Sequence, residues 1–354
     1  MSQRPTIYAV AKRCGVSTTT VSRVMQDESF GSPATRERVL SVALELGWVP
    51  NGAARGLATR KAGIIGLLFP DLGELGVGEE ESPLYVDQVV RGAERVTAAA
   101  GQAVLIAAVR ASGGKSLAYS VAGKVDGLVI MSRSLSDKDV ALIARTVPVV
   151  LLAHKPGRKS FDHVVVDNRS GAREMTSHLI EVHGYQDLVY VRGPEGSPDS
   201  HERFLGFCDS LEAAGLPVPE KPAADGGFTE AGGKKAMWQL LGSAKPPRAI
   251  VFGNDEMAIG AMDVLNKAKI SIPGEVAITG FDDIAVARHV NPSLTTVKQP
   301  MRELGEQAVQ LLFARLRDPK AGTKTIYLST ESVFRKSCGC GKANTNSKKG
   351  SKND

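Results

Sequence analysis

The chain has 354 residues, 42% of which are hydrophobic, and a formal net charge of +6. This length is too great for one ordinary hydrophobic core and predicts two or three globular units. The first 25 residues contain no apolar segment typical of a signal peptide, and the chain has no run of about 18 uncharged apolar residues, so we expect neither secretion nor a membrane span.

The positive charge is concentrated at the two ends of the chain. Residues 1–61 hold nine Lys and Arg against four Asp and Glu, and residues 335–354 hold six against one, so each segment has a net charge of +5 and the remainder −4. Basic ends on an acidic body favour contact between the ends and a polyanion, although a basic run is also typical of a solvated surface. Four scattered cysteines are too few for a disulfide framework, which favours the reducing cytoplasm.

Residues 1–50 show the pattern of three short helices. Before each apolar run stands a hydroxyl side chain that can accept a hydrogen bond from a free helix N–H group, and a glycine follows the first and third runs. We expect Trp48 to pack back onto these helices. The helices are predicted over IYAVAKRC, over TTTVSRVM and from Pro33 to Gly47, with Thr6, Ser17 and Ser32 as the capping residues.

From residue 63 to about 335 the pattern changes to short apolar runs separated by helix-length segments. Such runs indicate parallel sheets covered by helices on both faces, and they are too many for one modest sheet, so we predict two α/β lobes. The polar sequence at the end of the chain predicts a disordered tail. The apolar runs are 63–69, 103–109, 126–131, 148–152, 163–167, 187–192, 248–253 and 276–281.

The first zone has the spacing of a helix-turn-helix. Ala11 allows two helices to approach closely, Gly15 takes the turn, and Val21 packs between the helices. An arginine on the opposite face of the second helix can bond guanine, and a threonine can contact a base edge or a thymine methyl. The spacing favours DNA binding, and the alternative is a plain polar face on a small three-helix unit. The polar residues opposite the valine face are Thr18, Thr19, Ser22 and Arg23.

A longer series of motifs resembles the LacI/GalR family of bacterial transcription regulators. It covers about residues 5–337 and includes TIYAVAKRCGVSTTTVSRVMQDE, TRERVLSVALELGWVPNGAARGLATRKAGIIGLL, VVVDNRSGA, GNDEMAIGAMDVL, IPGEVAITGFDDI and PSLTTVKQPMRELGEQAVQLL. The resemblance implies an all-α helix-turn-helix headpiece followed by an α/β two-lobed core of the type I periplasmic-binding-protein kind. Such a chain is expected to act as a homodimer on palindromic operator DNA.

The resemblance and the composition together predict four segments. These are a headpiece over 1–50, a hinge helix or linker over 51–62, a core over 63–337 that binds the effector and dimerises, and a disordered basic tail over 338–354. Within the core, the first lobe is expected over about 63–167 plus 298–325, and the second over about 168–297 plus 326–337.

In this family a hinge leucine enters the minor groove at the operator centre, and the resemblance places Leu57 there. Glycines at 52 and 56 weaken a helix this short, so we expect it to form only when two copies meet on DNA. The alternative is a plain flexible linker. The full set of expected DNA-contacting residues is Thr6, Tyr8, Ser17, Thr18, Thr19, Thr20, Ser22, Arg23, Asn51, Arg55 and Leu57.

The resemblance also implies an effector cleft in the core. Arg203, Asn254 and Asp282 match the family's polar ligand-binding positions, and Phe228 matches the aromatic that stacks on the ligand. A sugar site needs such paired donors and acceptors with an apolar ring face. Phe228 could instead be a core residue. Asp255 is interpreted as a structural cap, and Asp167 with Asn168 as structural residues at the crossover between the lobes.

Two features depart from the family pattern. Ala153, followed by His154, stands where the family often has an acidic residue, so the effector specificity is not carried over. The segment 71–85 is longer than is common and is expected to reshape the cleft or the dimer surface.

Catalysis is not predicted. GGKS (113–116) lacks the upstream glycine of a phosphate-binding loop, GELGVG (73–78) does not open a helix, and no HExxH occurs. Six scattered histidines suggest no metal cluster, and the CGC at 338–340 is interpreted as having no function, although it could hold a thiophilic metal. We therefore expect no enzyme activity, no cofactor and no metal site.

The sequence predicts a cytoplasmic, nucleoid-associated repressor of carbohydrate-utilisation genes. Its partners would be double-stranded operator DNA, a small-molecule effector of the sugar class that controls it allosterically, and a second copy of the chain, with no membrane contact. One alternative is a solute-binding module that does not read DNA. The other keeps the fold but activates transcription, or represses only with a corepressor.

Overall fold

The structure, a computed structural model, divides into two compact units, residues 1–63 and 64–354. The residues that the structure describes are 5–26, 29–49, 61–71, 84–110, 114–154, 161–242 and 246–341.

The N-terminal unit consists of three helices, Ile7–Cys14 (α1), Thr18–Gln26 (α2) and Pro33–Glu45 (α3). The hydroxyls of Thr6 and Ser32 accept hydrogen bonds from the first turns of α1 and α3, and Ser17 does the same for α2. The three predicted helices and their caps therefore agree with the structure to within two residues.

The turn between α1 and α2 depends on a left-handed residue. Gly15 has φ +65°, a conformation that glycine adopts without steric cost, and it directs the chain from α1 into α2. The valines that face the other helices then close a small core together with the indole of Trp48. Its buried residues are Val10, Ala11, Cys14, Val21, Val24, Val39, Ala43 and Trp48.

The first lobe of the larger unit is a six-stranded parallel sheet with helices on both faces. Its strands are Ile64–Pro70 (β1), Ala103–Val109 (β2), Gly127–Met131 (β3), Val149–Leu152 (β4), Asp162–Val166 (β5) and Thr325–Leu328 (β11). Its helices are Leu84–Ala99 (α4), Gly114–Ala122 (α5), Asp137–Ile143 (α6) and Met301–Arg317 (α11). The order across the sheet is β11-β5-β4-β3-β1-β2. Buried Ile, Leu and Val side chains on both faces account for the uninterrupted apolar runs of the sequence.

The second lobe repeats this plan around a smaller parallel sheet. Its strands are Leu188–Arg192 (β6), Ala224–Asp225 (β7), Ala249–Phe252 (β8) and Ala277–Thr279 (β9), in the order β7-β6-β8-β9. A short antiparallel pair, Thr296–Lys298 (β10) and Glu331–Val333 (β12), lies beside it. Its helices are Asn168–Glu181 (α7), Pro198–Ala213 (α8), Glu230–Leu241 (α9) and Asp255–Lys267 (α10).

The chain passes between the lobes three times, after β5, after β10 and after β11. The sequence places the last crossover too early, at residue 325, because β11 is a short strand at the sheet edge. The structure pairs β11 with β5 in the first sheet, so residues 326–328 belong to the first lobe. Among the described residues no helix is long and apolar enough to cross a membrane.

The core extends beyond its expected end at residue 337. Residues 336–338 form a 3₁₀ turn, Cys338 is fully buried, and the Ser337 hydroxyl donates to the carbonyl of Ile278 in β9 at 2.6 Å. The tail expected over 338–354 is thus wrong for residues 338–341, which pack on the second lobe. Residues 342–354 lie outside the described part of the chain.

Candidate functional site

A cleft opens where the carboxyl ends of the strands of both sheets meet. This is the edge at which parallel α/β sheets bind ligands, because the loops after the strands converge there. The first lobe contributes Pro70, Tyr85, Val86, Met131, Ser132 and Arg133. The second lobe contributes Pro194, Ser197, Asp199, Arg203, Gly227, Phe228, Asn254, Glu256 and Asp282, and Gln299 comes from the crossover after β10.

The four residues that the sequence assigns to the effector all line this cleft. Arg203, on the second turn of α8, is only 3% exposed, and its guanidinium lies 3.7 Å from the ring centroid of Phe281. It donates from Nε to the side-chain oxygen of Asn168 at 2.7 Å and from Nη1 to the carbonyl of Gly253 at 2.6 Å. These contacts fix the arginine in one orientation at the floor of the cleft.

Asp282 follows β9 and lies next to this arginine. Its Oδ1 accepts from Nη1 of Arg203 at 3.4 Å and from the amide of Gln299 at 2.5 Å. Burial raises the pKa of Asp282 to about 6, and the positive charge of Arg203 limits that rise. The cleft floor is therefore a buried charged pair tied by hydrogen bonds to a crossover segment.

Asn254 and Phe228 have structural roles as well as a place in the cleft wall. The side-chain oxygen of Asn254 caps α10 by accepting from Met257 N at 3.1 Å, and its amide donates to the carbonyl of Phe228 at 3.1 Å. The Phe228 ring packs against the core of the second lobe and lies so close to Gly193 that a Cβ there would meet it at 2.2 Å. Phe228 is thus both a core residue and part of the cleft surface.

Among the cleft residues that were missed from the sequence are Asp199, Tyr85 and Gln299. Asp199 lies four residues before Arg203 on α8, a spacing that places both on one helix face and that could have identified it. Burial raises the pKa of Asp199 to about 6, and its carboxylate accepts from Asn168 at 2.9 Å. Tyr85 reaches the cleft from the first turn of α4 and Gln299 from the crossover after β10, and no local sequence pattern marks either residue.

Asn168, interpreted from the sequence as structural, connects two cleft residues. Its amide group donates to Asp199, and its oxygen accepts from Arg203. Asp167 is structural, since its carboxylate caps α7 by accepting from Ser170 N. Asn168 therefore positions Arg203 from the first crossover between the lobes.

Ala153, which stands where the family often has an acidic residue, is not among the residues that line the cleft. Ala153 is buried at the end of β4 with φ +55°, and burial lowers the pKa of the neighbouring His154 to about 4. Most of the segment 71–85, which is expected to reshape the cleft, lies outside the described residues. Its last residue, Tyr85, is in the cleft wall.

Asp255 is structural, as the sequence analysis expects, but it is not the helix cap. Its carboxylate accepts from the N–H of Ile284 at 2.9 Å and from the hydroxyl of Thr296 at 2.5 Å, so it joins α10 to the loop after β9 and to β10. The cap of α10 is Asn254. Complete burial, reinforced by the nearby negative charge of Asp282, raises the pKa of Asp255 to about 8.

This raised pKa predicts a pH-dependent stability. Aspartates in the unfolded chain titrate near pH 4, so between pH 5 and 8 the folded state holds a proton at Asp255 that the unfolded state has lost. The stabilisation is complete below about pH 4 and is lost as the pH rises through 8. Asp255→Asn should therefore flatten the fall of unfolding free energy from pH 5 to 8 by up to about 1 kcal/mol per pH unit, measured by urea titration.

Asp263→Asn provides the matched control on the same helix. Asp263 is half-buried and ion-paired to Lys267, whose hydrogen bond lowers the pKa of this carboxyl, so its titration ends below pH 5. Its variant should keep the wild-type slope. Equal slopes for the wild type and both variants would mean that Asp255 is ionised in the folded protein across this range.

The N-terminal unit presents a polar surface on α2. Thr19 and Arg23 are exposed on the side of α2 away from the buried Val21, and Thr18 and Ser22 are half-buried. The guanidinium of Arg23 lies 5.3 Å from the ring centroid of Phe30. This surface is the one that the helix-turn-helix spacing predicts for the major groove.

The other residues expected to contact DNA differ in exposure and in the hydrogen bonds that they form within the N-terminal unit. Tyr8 is 74% exposed on α1. Thr6 uses its hydroxyl to cap α1, and the hydroxyls of Ser17 and Thr20 lie 2.9 Å apart at the start of α2. Asn51, Arg55 and Leu57, together with most of the expected hinge, lie outside the described residues.

Comparisons with known proteins match both units. Residues 6–51 match the family model of bacterial regulatory proteins of the lacI family, and residues 176–338 match that of the periplasmic binding protein-like domain. The chain is 30% identical to catabolite control protein A of Priestia megaterium, over 94% of this chain and 98% of that protein. It is 33% identical to the transcriptional regulator GalR of Escherichia coli strain K12, over 87% of this chain and 88% of that protein.

Solved structures agree with the fold. The lac repressor dimer bound to operator and the anti-inducer ONPF has a TM-score of 0.80 and 27% identity, covering 95% of this chain and 99% of that one. The transcriptional regulator CelR in complex with cellobiose has a TM-score of 0.70 and 31% identity, covering 94% and 100%. The fold expected from the sequence is confirmed, and the chain belongs to the lacI family of bacterial transcriptional regulators.

Proposed function

We propose that this regulator is a cytoplasmic repressor that binds operator DNA as a homodimer and is controlled by a neutral sugar in the cleft. The observation that carries the effector proposal is a pair of unsatisfied polar atoms. The hydroxyl of Tyr85 and Oε1 of Gln299 are buried in the cleft wall, and neither has a hydrogen-bond partner among the described residues. Buried polar atoms without partners are rare, and a bound polyhydroxyl ligand would supply the missing partners.

The charges of the cleft favour a neutral ligand. Two arginines, Arg133 and Arg203, face three acidic side chains, Asp199, Glu256 and Asp282, so acidic groups are in excess by one. A phosphorylated ligand would add negative charge to a site that already has an acidic excess. The Phe228 ring offers an apolar surface for the face of a sugar ring. The solved structure of CelR with cellobiose supports the same class of ligand.

The DNA proposal rests on the exposed polar face of α2 and on the family. Thr18, Thr19, Ser22 and Arg23 would contact base edges, while Asn51, Arg55 and Leu57 would act at the minor groove. A coupling free energy of about 1–3 kcal/mol between the effector and DNA sites would change operator affinity about 5- to 150-fold.

A thermal-shift screen tests the effector proposal. Purified protein is heated with mono- and disaccharides, sugar phosphates and purines, and a ligand present at a hundred times its dissociation constant should add about 2.7 kcal/mol of stability. Tyr85→Phe should weaken binding of the identified sugar about 5- to 30-fold, because the cleft loses one hydroxyl. Tyr119→Phe is the control, since Tyr119 bonds Asp139 in the first lobe away from the cleft.

A purine or sugar phosphate that raises the melting temperature, with neutral sugars inactive, would reject the proposed ligand class. Binding to duplex DNA tests the proposal that the protein is a repressor. If the protein binds a sugar but shows no preference among duplex sequences across a salt series, it is a solute-binding module rather than a repressor.

A further inference from the structure

Four side chains with metal-binding atoms meet on the second lobe, and none of them lines the cleft. His178 lies on the last turn of α7, His183 lies in the loop that follows, and Cys338 and Cys340 come from the C-terminal segment. Their ligand atoms all lie within 4.8 Å of one another. The sequence suggests that the histidines are scattered and form no metal cluster, and this expectation is wrong for His178 and His183.

Four of the six separations between these ligand atoms are close to those around one tetrahedral ion. The two Nε2 atoms of His178 and His183 are 3.2 Å apart, and the Sγ atom of Cys340 lies 3.4 Å from the first and 3.5 Å from the second. The Sγ atom of Cys338 lies 3.7 Å from Nε2 of His178. Zinc bonds of about 2.0 Å to nitrogen and 2.3 Å to sulfur give tetrahedral ligand separations of about 3.3–3.8 Å.

The surrounding fold holds these ligands in place. His178 stacks on Phe334 with ring centroids 3.9 Å apart, and the Tyr185 hydroxyl donates to the carbonyl of Cys338 at 2.9 Å. Gly339 has φ +114°, and a Cβ there would approach the His183 ring to 3.2 Å. A glycine at the centre of CGC therefore allows the turn that brings both sulfurs to the two imidazoles.

The chemistry of the four groups suits a thiophilic cation. The Nε2 atoms of both histidines lie within 3.5 Å of Sγ of Cys340, and an imidazole nitrogen binds a metal through its lone pair. The hydroxyl of Thr295 lies 3.1 Å from Sγ of Cys338 and can donate to a thiolate. A coordinated thiol loses its proton to the metal's charge, so binding one divalent ion here releases two protons to solvent.

We propose that His178, His183, Cys338 and Cys340 bind one Zn²⁺ ion as a closed, structural four-ligand site. Two sulfurs and two imidazoles in a tetrahedron are typical of zinc sites of this kind. The ion would attach the C-terminal segment to α7 and so fix the end of the last chain crossing between the lobes. The site is independent of the effector and DNA proposals, because it shares no residue with either.

The test uses the full chain, free of any histidine tag and kept in a non-thiol reductant. After removal of metal with a chelator, Zn²⁺ is titrated against a chromophoric competitor, and Co²⁺ is added separately to record its absorption spectrum. We expect one Zn²⁺ per chain, a higher melting temperature with zinc, and the charge-transfer band of a thiolate-bound Co²⁺. His183→Gln and Cys340→Ala should each weaken zinc binding at least about 100-fold, since each removes a direct ligand.

Cys208→Ala is the matched control. Cys208 is a half-buried thiol on α8 of the same lobe, and its variant should bind zinc like the wild type. Circular dichroism of each metal-free variant establishes that it is folded. The proposal is overturned if the reduced wild type binds no zinc, if the His183 and Cys340 variants bind it as tightly as the control, or if mass spectrometry shows a Cys338–Cys340 disulfide in the reduced preparation.

Discussion

Arg203→Met is expected to lower the free energy of unfolding at pH 7.5 by about 3–5 kcal/mol, because it leaves a buried carboxylate without its cation. Asp282 would lose the guanidinium that lies 3.4 Å from it, and the Asn168 oxygen and the Gly253 carbonyl would lose their donors. The methionine fills much of the same volume, so the loss reports on the polar contacts rather than on a cavity. Urea unfolding followed by circular dichroism measures it.

The same variant should show a pH dependence of known sign. In the wild type, burial raises the pKa values of Asp199 and Asp282 to about 6, even though Arg203 opposes that rise. Without the arginine both pKa values rise further, so at pH 5 the carboxyls are protonated and neutral, and the variant loses less stability than at pH 7.5.

Arg169→Met is the matched control for this comparison. Arg169 forms a two-bond ion pair with Asp209, but its side chain is 49% exposed, and such surface pairs contribute at most about 1 kcal/mol. A loss at Arg203 no larger than that at Arg169, or one that is equal at both pH values, would show that the cleft floor is hydrated rather than buried. Arg203→Lys should lie between the two, because lysine restores the charge but not the fork of donors.

The sequence predicts the regular parts of this fold well, for physical reasons that particular elements illustrate. The run 63–69 is shifted by one residue from β1, because a strand buried on both faces is uniformly apolar. The run 103–109 coincides with β2, although β2 is an edge strand and only Val109 in it is buried. The strands that it misses, β7 and β10 to β12, are two to four residues long. Pairing with distant partners, rather than a local pattern, defines strands this short.

The candidate site also contains residues that the sequence predicts and residues that it does not. Arg203, Asn254 and Asp282 were identified because they match the ligand-binding positions of the family, and all three line the cleft. Asn168 and Gln299 lie on two different crossovers, more than a hundred residues apart in sequence. Their bonds to Arg203 and Asp282 join segments that are distant in the sequence, so no local pattern reveals them.

The cluster of His178, His183, Cys338 and Cys340 is the clearest example of a site that the sequence alone does not predict. The histidines are five residues apart, the cysteines two apart, and the two pairs are separated by more than 150 residues. Known zinc spacings are local, so the sequence alone indicates no site. The C-terminal segment reaches α7 because residues 336–338 pack on β9, a contact that no sequence pattern predicts.

Arg23→Ala is expected to lower affinity for the selected operator about 10- to 100-fold while leaving the fold intact. The side chain is exposed on the outer face of α2, opposite Val21, and it forms no part of the buried core of its unit. An arginine at this position can donate two parallel hydrogen bonds to one guanine, a contact that contributes about 1–3 kcal/mol of discrimination between bases. A duplex selected from a random library, compared with a scrambled duplex by fluorescence anisotropy, gives both affinities.

The ratio of those two affinities decides what Arg23 does. A base contact lowers affinity for the selected duplex far more than for the scrambled one, whereas a phosphate contact lowers both by one factor and reduces the salt slope by about 1. Arg13→Ala is the control, because Arg13 is an equally basic residue of the same unit that pairs with Glu45 at 2.8 Å. If both variants leave the ratio unchanged, sequence recognition resides in the threonines of α2 or in residues after position 49, and the assignment of Arg23 to the major groove is wrong.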